Sequence, residues 1–133
     1  MFYISKEKDR LQPERMLELL RQTYWAKDRT LEQMHTAIAN SECFGAYDCE
    51  THQQLGLIRV VTDYVCAYYI CDVIVDPAYR GRGISKALME AVVADPTFGH
   101  LRGLLVTSDA HGLYEKYGFT PAKSRHMGKE PRK

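Results

Sequence analysis

The spacing of apolar positions changes period several times along the chain, and each change predicts an element. FYIS at 2–5 alternates as a short strand. Pro13 then opens a segment in which Met16, Leu17, Leu20 and Tyr24 recur at helical spacing. Thr30 followed by Gln33 has the form of a capping box, and Leu31, Met34 and Ile38 give a second helix one apolar face, ending near Asn40. From Cys43 the pattern turns to strands: CFGAY, QLGLIRVV and VCAYYICDVIV, separated by the polar turns DCETHQ and TDY. Ile84, Ala87, Leu88, Ala91 and Val92 return to helical spacing, DPTFGH breaks it, and GLLVT reads as a buried strand. Asp109 can cap a last helix through Tyr117, Gly118 stops it, and Phe119 begins a short strand or a tail.

This order predicts an α+β fold in one domain spanning 1–133, with a layered, mainly antiparallel sheet flanked by helices. GLLVT is reached from VCAYYICDVIV through a helical crossover, so those two strands can run parallel.

Composition narrows the function classes. Eighteen basic residues against 17 acidic ones leave a formal charge of +1, without the basic field of a nucleic-acid binder. The N-terminal MFYISKEKDR becomes charged before an apolar signal core develops, and no run approaches membrane-spanning length. Cys43, Cys49, Cys66 and Cys71 form no CxxC pair, as expected of a reduced, cytoplasmic protein with buried thiols. No His, Cys, Asp and Glu cluster has metal-ligand spacing, so no metal is expected.

The stretch DPAYRGRGISKALMEA places Arg80, Gly81, Arg82 and Gly83 directly before a helix. A helix N-terminus offers unpaired N–H groups and a positive dipole end, and glycines let backbone approach an anion closely. With Lys86 nearby, the segment reads as a pyrophosphate cradle; the competing reading is a tight turn with solvated arginines. GxxxxGK[ST] is absent, and GRGISK lacks the third glycine of a dinucleotide fingerprint.

VIVDPAYRGRGISKALME resembles the acetyl-CoA-binding motif of the GNAT superfamily of N-acetyltransferases, with Arg80, Gly83 and Ser85 at its fixed positions and Ser85 replacing the usual Gly or Ala. A second family signature appears as Ala110 followed by LYEKYGF at 113–119. The resemblance implies the GNAT fold, in which the strand before the phosphate loop splays from the next parallel strand and pantetheine fills the gap. Val73 and Val75 would then bond pantetheine through their main chains, and an N–H near Ile74 would polarise the acetyl carbonyl. The pyrophosphate would lie on the amides around Arg82, Gly83, Ile84, Ser85 and Lys86. Thr107 stands where many relatives carry a cofactor-contacting asparagine.

The implied activity is direct transfer of an acetyl group from acetyl-CoA to a primary amine of a small molecule or peptide. The alternative is a noncatalytic acyl-CoA sensor. Tyr114 matches the family's general acid, since a phenol stays protonated at neutral pH and can donate to a leaving thiolate. For the base, Asp72 at a bulge in the splayed strand, His111 or a water are all open. The loop from Tyr24 to Arg29 joins two helices that in this family cover the acceptor. Tyr24 and Trp25 would stack on the substrate and Arg29 would hold its carboxylate, or the aromatics would anchor the loop on the core. Tyr64, Tyr68 and Tyr69 are further candidate lining residues, and a homodimer is an expected assembly.

Overall fold

The structure is a computed structural model that describes residues 1–107, 110–121 and 127–131. It is built on one five-stranded sheet in the order β1-β2-β3-β4-β5. The strands are β1 (Phe2–Ser5), β2 (Glu42–Asp48), β3 (Gln54–Thr62), β4 (Ala67–Val75) and β5 (Arg102–Leu104). The first three pairings are antiparallel and β4 with β5 is parallel. Helices α1 (Pro13–Leu20), α2 (Leu31–Ala39), α3 (Ile84–Ala94) and α4 (His111–Glu115) flank it. This is the expected α+β architecture, mainly antiparallel with one parallel pair.

Alternation along the strands separates two cores. Phe44, Ile58, Ile70 and Tyr68 pack with Leu88, Met89 and Val92 of α3. Their sequence neighbours Cys43 and Leu57 pack instead with Met16, Leu17 and Leu20 of α1 and Met34 of α2. Adjacent residues on a strand face opposite sides, so α3 covers one face of the sheet while α1 and α2 cover the other.

A bulge in β4 adjusts this division. Arg59 pairs with Asp72 and Val60 with Ile70, which leaves Cys71 as the extra residue. One inserted residue inverts the facing of everything beyond it. Tyr68 and Ile70 therefore enter the α3 core, whereas Ile74 enters the α1/α2 core.

The local signals explain the helix ends. Thr30 Oγ1 accepts from the Gln33 amide at 3.1 Å and Gln33 Oε1 accepts from the Thr30 amide at 2.9 Å, closing the capping box. Helix α1 is shorter than its apolar spacing suggests. The Thr23 hydroxyl turns back to donate to the Leu20 carbonyl at 2.6 Å, and Tyr24 leaves the helix face with 78% of its surface exposed.

Other expectations need correction. GLLVT is not a buried strand: β5 ends at Leu104, and Leu104 and Val106 are exposed. Val65 and Cys66 precede β4 in a turn held by the Asp63 carboxylate, which accepts from both amides. Phe119 packs edge-on against Tyr68 and Tyr114 rather than starting a strand. Only Cys43 among the four free cysteines is buried, and desolvation pushes its thiol up to about 11. Asp109, the expected cap of α4, lies outside the described residues, as does the side chain of His111.

Candidate functional site

The site begins where two parallel strands part. β5 pairs with β4 at Ala67–Tyr69 and then stops, while β4 continues to Val75. The Asp76 amide donates to the Leu55 carbonyl at 2.8 Å, which directs the main chain of Asp76 toward β3. Bonding alternates along an antiparallel pair, so Ile74, opposite Leu57, also turns its N–H and C=O to β3. Val73 and Val75 consequently aim theirs at the open edge. Ile74 itself supplies an apolar wall, and the free-edge amides near it are those of Val73 and Val75.

These residues line a cleft of about 490 Å³ together with Tyr79, Arg80, Gly81, Gly83, Ile84, Ser85, Ala110, Leu113, Tyr114 and Trp25. Gly81 and Gly83 have φ values of +80° and +82°. An L side chain is strained at either position. A Cβ built there would meet nothing within 4 Å, so space lies open in front of the loop. The Ala87 amide bonds to Gly83 O, making Ile84, Ser85 and Lys86 the first turn of α3, whose amides have no intrahelical acceptor. An open space bordered by left-handed glycines and a helix N-terminus fits a diphosphate. Of the expected cationic partners, Arg80 lines the cleft. Arg82 lies over the Tyr79 ring at 4.8 Å, and Lys86 is an exposed residue outside the lining.

Tyr114 stands one turn into α4, half-buried, with its ring edge-on to Phe119 at 6.4 Å between centroids. Gly118, at φ +90°, ends this segment, and the Phe119 amide returns to the Tyr114 carbonyl at 3.3 Å. The LYEKYGF motif therefore encodes a helix turn, its stop and the aromatic that supports the tyrosine. Thr107 is not in the cleft lining; its hydroxyl accepts from the Ala110 amide at 3.0 Å and fixes the approach to α4.

A second cavity, of about 420 Å³, is lined by Tyr24, Trp25, Ala26, Lys27, Asp28, Arg29 and Gln33. Trp25 lines both cavities. Its ring meets Tyr24 edge-on, with centroids 5.2 Å apart, and the two aromatics are exposed rather than sunk into the core. Tyr68 belongs to the core, and Tyr64 and Tyr69 line neither cavity.

Asp72, one of the candidate bases, is buried and held in ion pairs. It is 1% exposed, and its Oδ2 accepts from Arg29 Nη1 at 2.8 Å and Arg59 Nε at 2.7 Å. Burial alone would raise its pKa, but the hydrogen bonds and charges of the two guanidinium groups outweigh burial and hold the carboxyl below the usual carboxylate range. Such a group is a poor proton acceptor. Arg29, expected to hold a substrate carboxylate, is committed to Asp72 instead.

Several contributing residues escaped the sequence reading. Arg59 pairs with Asp72 and donates to Ser41 Oγ at 2.9 Å; a lone charge inside GLIRVV was its signal. Arg15 on α1 bonds Asp76 and donates from Nε to the Gln54 carbonyl at 2.9 Å, tying α1 to the start of the glycine loop. Helical spacing in α1 gave no hint of that partner, which is 61 residues away.

Residues 39–121 match the profile of the acetyltransferase (GNAT) domain. A GNAT-family protein from Xanthomonas campestris pv. campestris superposes with a TM-score of 0.90 at 40% identity, covering 98% of this chain and 94% of that one. FG08082 of Gibberella zeae, assigned as an acetyltransferase, is 32% identical over a 114-residue alignment that covers 70% of this chain. The chloroplastic GCN5-related N-acetyltransferase 2 of Arabidopsis thaliana is 30% identical over 68% of this chain. The chain spans 63% and 37% of the lengths of these two relatives. A profile match over this cleft, the parted strands and the tyrosine turn makes the assignment plain: the chain belongs to the GNAT acetyltransferase family.

Proposed function

We propose that this domain transfers the acetyl group of acetyl-CoA directly to a primary amine of a small molecule or peptide. The observation that supports this reading is one continuous cleft shared by the free edge of β4, the glycine loop and Tyr114. The loop amides at Gly83–Lys86 and the Arg80 guanidinium hold the diphosphate, and the main chains of Val73 and Val75 pair with the pantetheine arm. Bound acetyl-CoA supplies an activated thioester acyl group. A free-edge amide of Val73 or Val75 stabilises negative charge on the acyl oxygen, a donor already in place before reaction. Tyr114 donates its phenolic proton to the leaving sulphur. The acceptor occupies the second cavity beside Tyr24 and Trp25, and water carries away the amine proton, since Asp72 is locked in ion pairs.

The test pairs a binding titration with a thiol-release assay over an amine panel. Acetyl-CoA is expected to raise the melting temperature far more than NAD or ATP, and at least one amine should release CoA. Equal stabilisation by NAD overturns the cofactor assignment. Tight binding without release from any amine turns the reading to an acyl-CoA sensor.

A further inference from the structure

The Arg29–Asp72–Arg59 cluster adjoins the second cavity, which Arg29 helps to line, and has no part in the chemistry described above. Arg59 is fixed twice, by strand pairing opposite Asp72 and by its hydrogen bond to Ser41. Asp72 sits next to Val73, whose main chain borders the cleft. Arg29 alone of the three belongs to a loop, the connection from α1 to α2. That loop has an anchor on each side of Trp25. On one side Thr23 is buried and its hydroxyl accepts from the Ala26 amide at 3.2 Å; on the other, Arg29 reaches Asp72 at 2.8 Å. Trp25 itself is 48% exposed, so core packing does not hold it firmly.

We infer that the Arg29–Asp72 ion pair is a latch that places the Trp25 loop against β4, with both residues acting as positioning residues for the acceptor. This inference rests on the proposed acetyl transfer for its kinetic consequence, though not for its structural one. A buried, doubly hydrogen-bonded carboxylate defines direction as well as distance. The latch spans from the strand that presents the acyl group to the wall of the acceptor cavity. It thereby sets the approach of the amine, where displacements of about 1 Å are costly to rate.

Trp25 is the sole tryptophan, so its emission reports on this loop directly. Arg29→Gln releases the loop while leaving Asp72 paired with Arg59. The expected result is red-shifted Trp25 emission and stronger acrylamide quenching, with an unchanged far-ultraviolet circular dichroism spectrum. Acceptor KM should rise roughly tenfold while acetyl-CoA affinity stays within about twofold. Arg29→Lys, which keeps a charged donor, should restore part of both readings. Unchanged emission and quenching in folded Arg29→Gln overturn the latch whatever the activity shows. Should that variant not fold, the same comparison on Arg29→Lys decides the matter. If wild-type protein fails to bind acetyl-CoA, the functional proposal falls while the fluorescence still tests the latch.

Discussion

The two sides of the cleft are built from different materials. The side proposed for the cofactor is made of backbone: left-handed glycines at 81 and 83, the first turn of α3, and the unpaired edge of β4. The side proposed for the acceptor is made of side chains, with two exposed aromatics carried on a loop whose Arg29 pairs with the buried Asp72. Backbone recognition demands particular residue types at fixed short spacing, because only glycine accepts those φ values at little cost. Recognition through side chains tolerates many solutions, provided something distant holds the loop. The first side therefore suits an invariant ligand, and the second a variable one.

Tyr114→Phe should produce the largest effect, because it removes the proposed proton donor while keeping the ring against Phe119. General acid catalysis is worth about 10² to 10⁴ in rate, so kcat should fall within that range with acetyl-CoA affinity little changed. Wild-type turnover in a thiol-release assay under chemistry-limited conditions would make Tyr114 structural.

Asp72→Asn should come next, acting on the acceptor side through stability. It leaves two arginines beside an uncharged group, a loss of about 3–5 kcal/mol for a broken buried pair. The pH dependence provides a second reading. The folded carboxyl of Asp72 titrates below its unfolded value, so its contribution is present above the unfolded value and lost as pH falls through the folded one. Asp76 and Asp95 are lowered as well and act with the same sign. Urea unfolding between neutral and strongly acid pH should show wild-type stability declining on acidification, and a shallower decline in the variant. Parallel curves would remove Asp72 from the acid response.

Gly83→Val tests the cofactor side. The backbone strain at φ +82° costs about 1–2 kcal/mol, and the added side chain fills the open space before the loop. Acetyl-CoA affinity should weaken at least about tenfold by calorimetric titration. An unchanged dissociation constant in folded protein would place the diphosphate elsewhere. Trp25→Ala should have a smaller effect, a rise of about five- to tenfold in acceptor KM that exceeds any change in acetyl-CoA binding. If acceptor kinetics are intact and only the melting temperature drops, the comparison between the two sides loses its aromatic half.

The strand meander, the capping box at Thr30, the crossover to a parallel strand and the glycine loop before α3 were all legible, since each rests on contiguous residues. Tyr114 could be singled out for the same reason. The acceptor half was legible only as a suggestion. Nothing in the spacing of Arg29, Arg59 and Asp72 indicates a meeting, because Arg29 and Asp72 are 43 positions apart. GLLVT looked buried because hydropathy does not know that β5 is an edge with few neighbours.

By itself the sequence determined most of the elements, their order and the glycine loop before α3. Those depend on local dihedral preference, short-range capping and periodicity, which neighbouring residues control. Tertiary structure alone decided what the charged residues do. The bulge at Cys71 rotates Asp72 toward the α1/α2 side, where Arg29 and Arg59 convert a candidate base into an anchor. It also decided that Val73 and Val75, rather than Ile74, offer main-chain groups to the cleft. The physical reason is that facing and hydrogen-bond direction in a sheet follow from register, and register is set by pairing between strands that are distant in sequence.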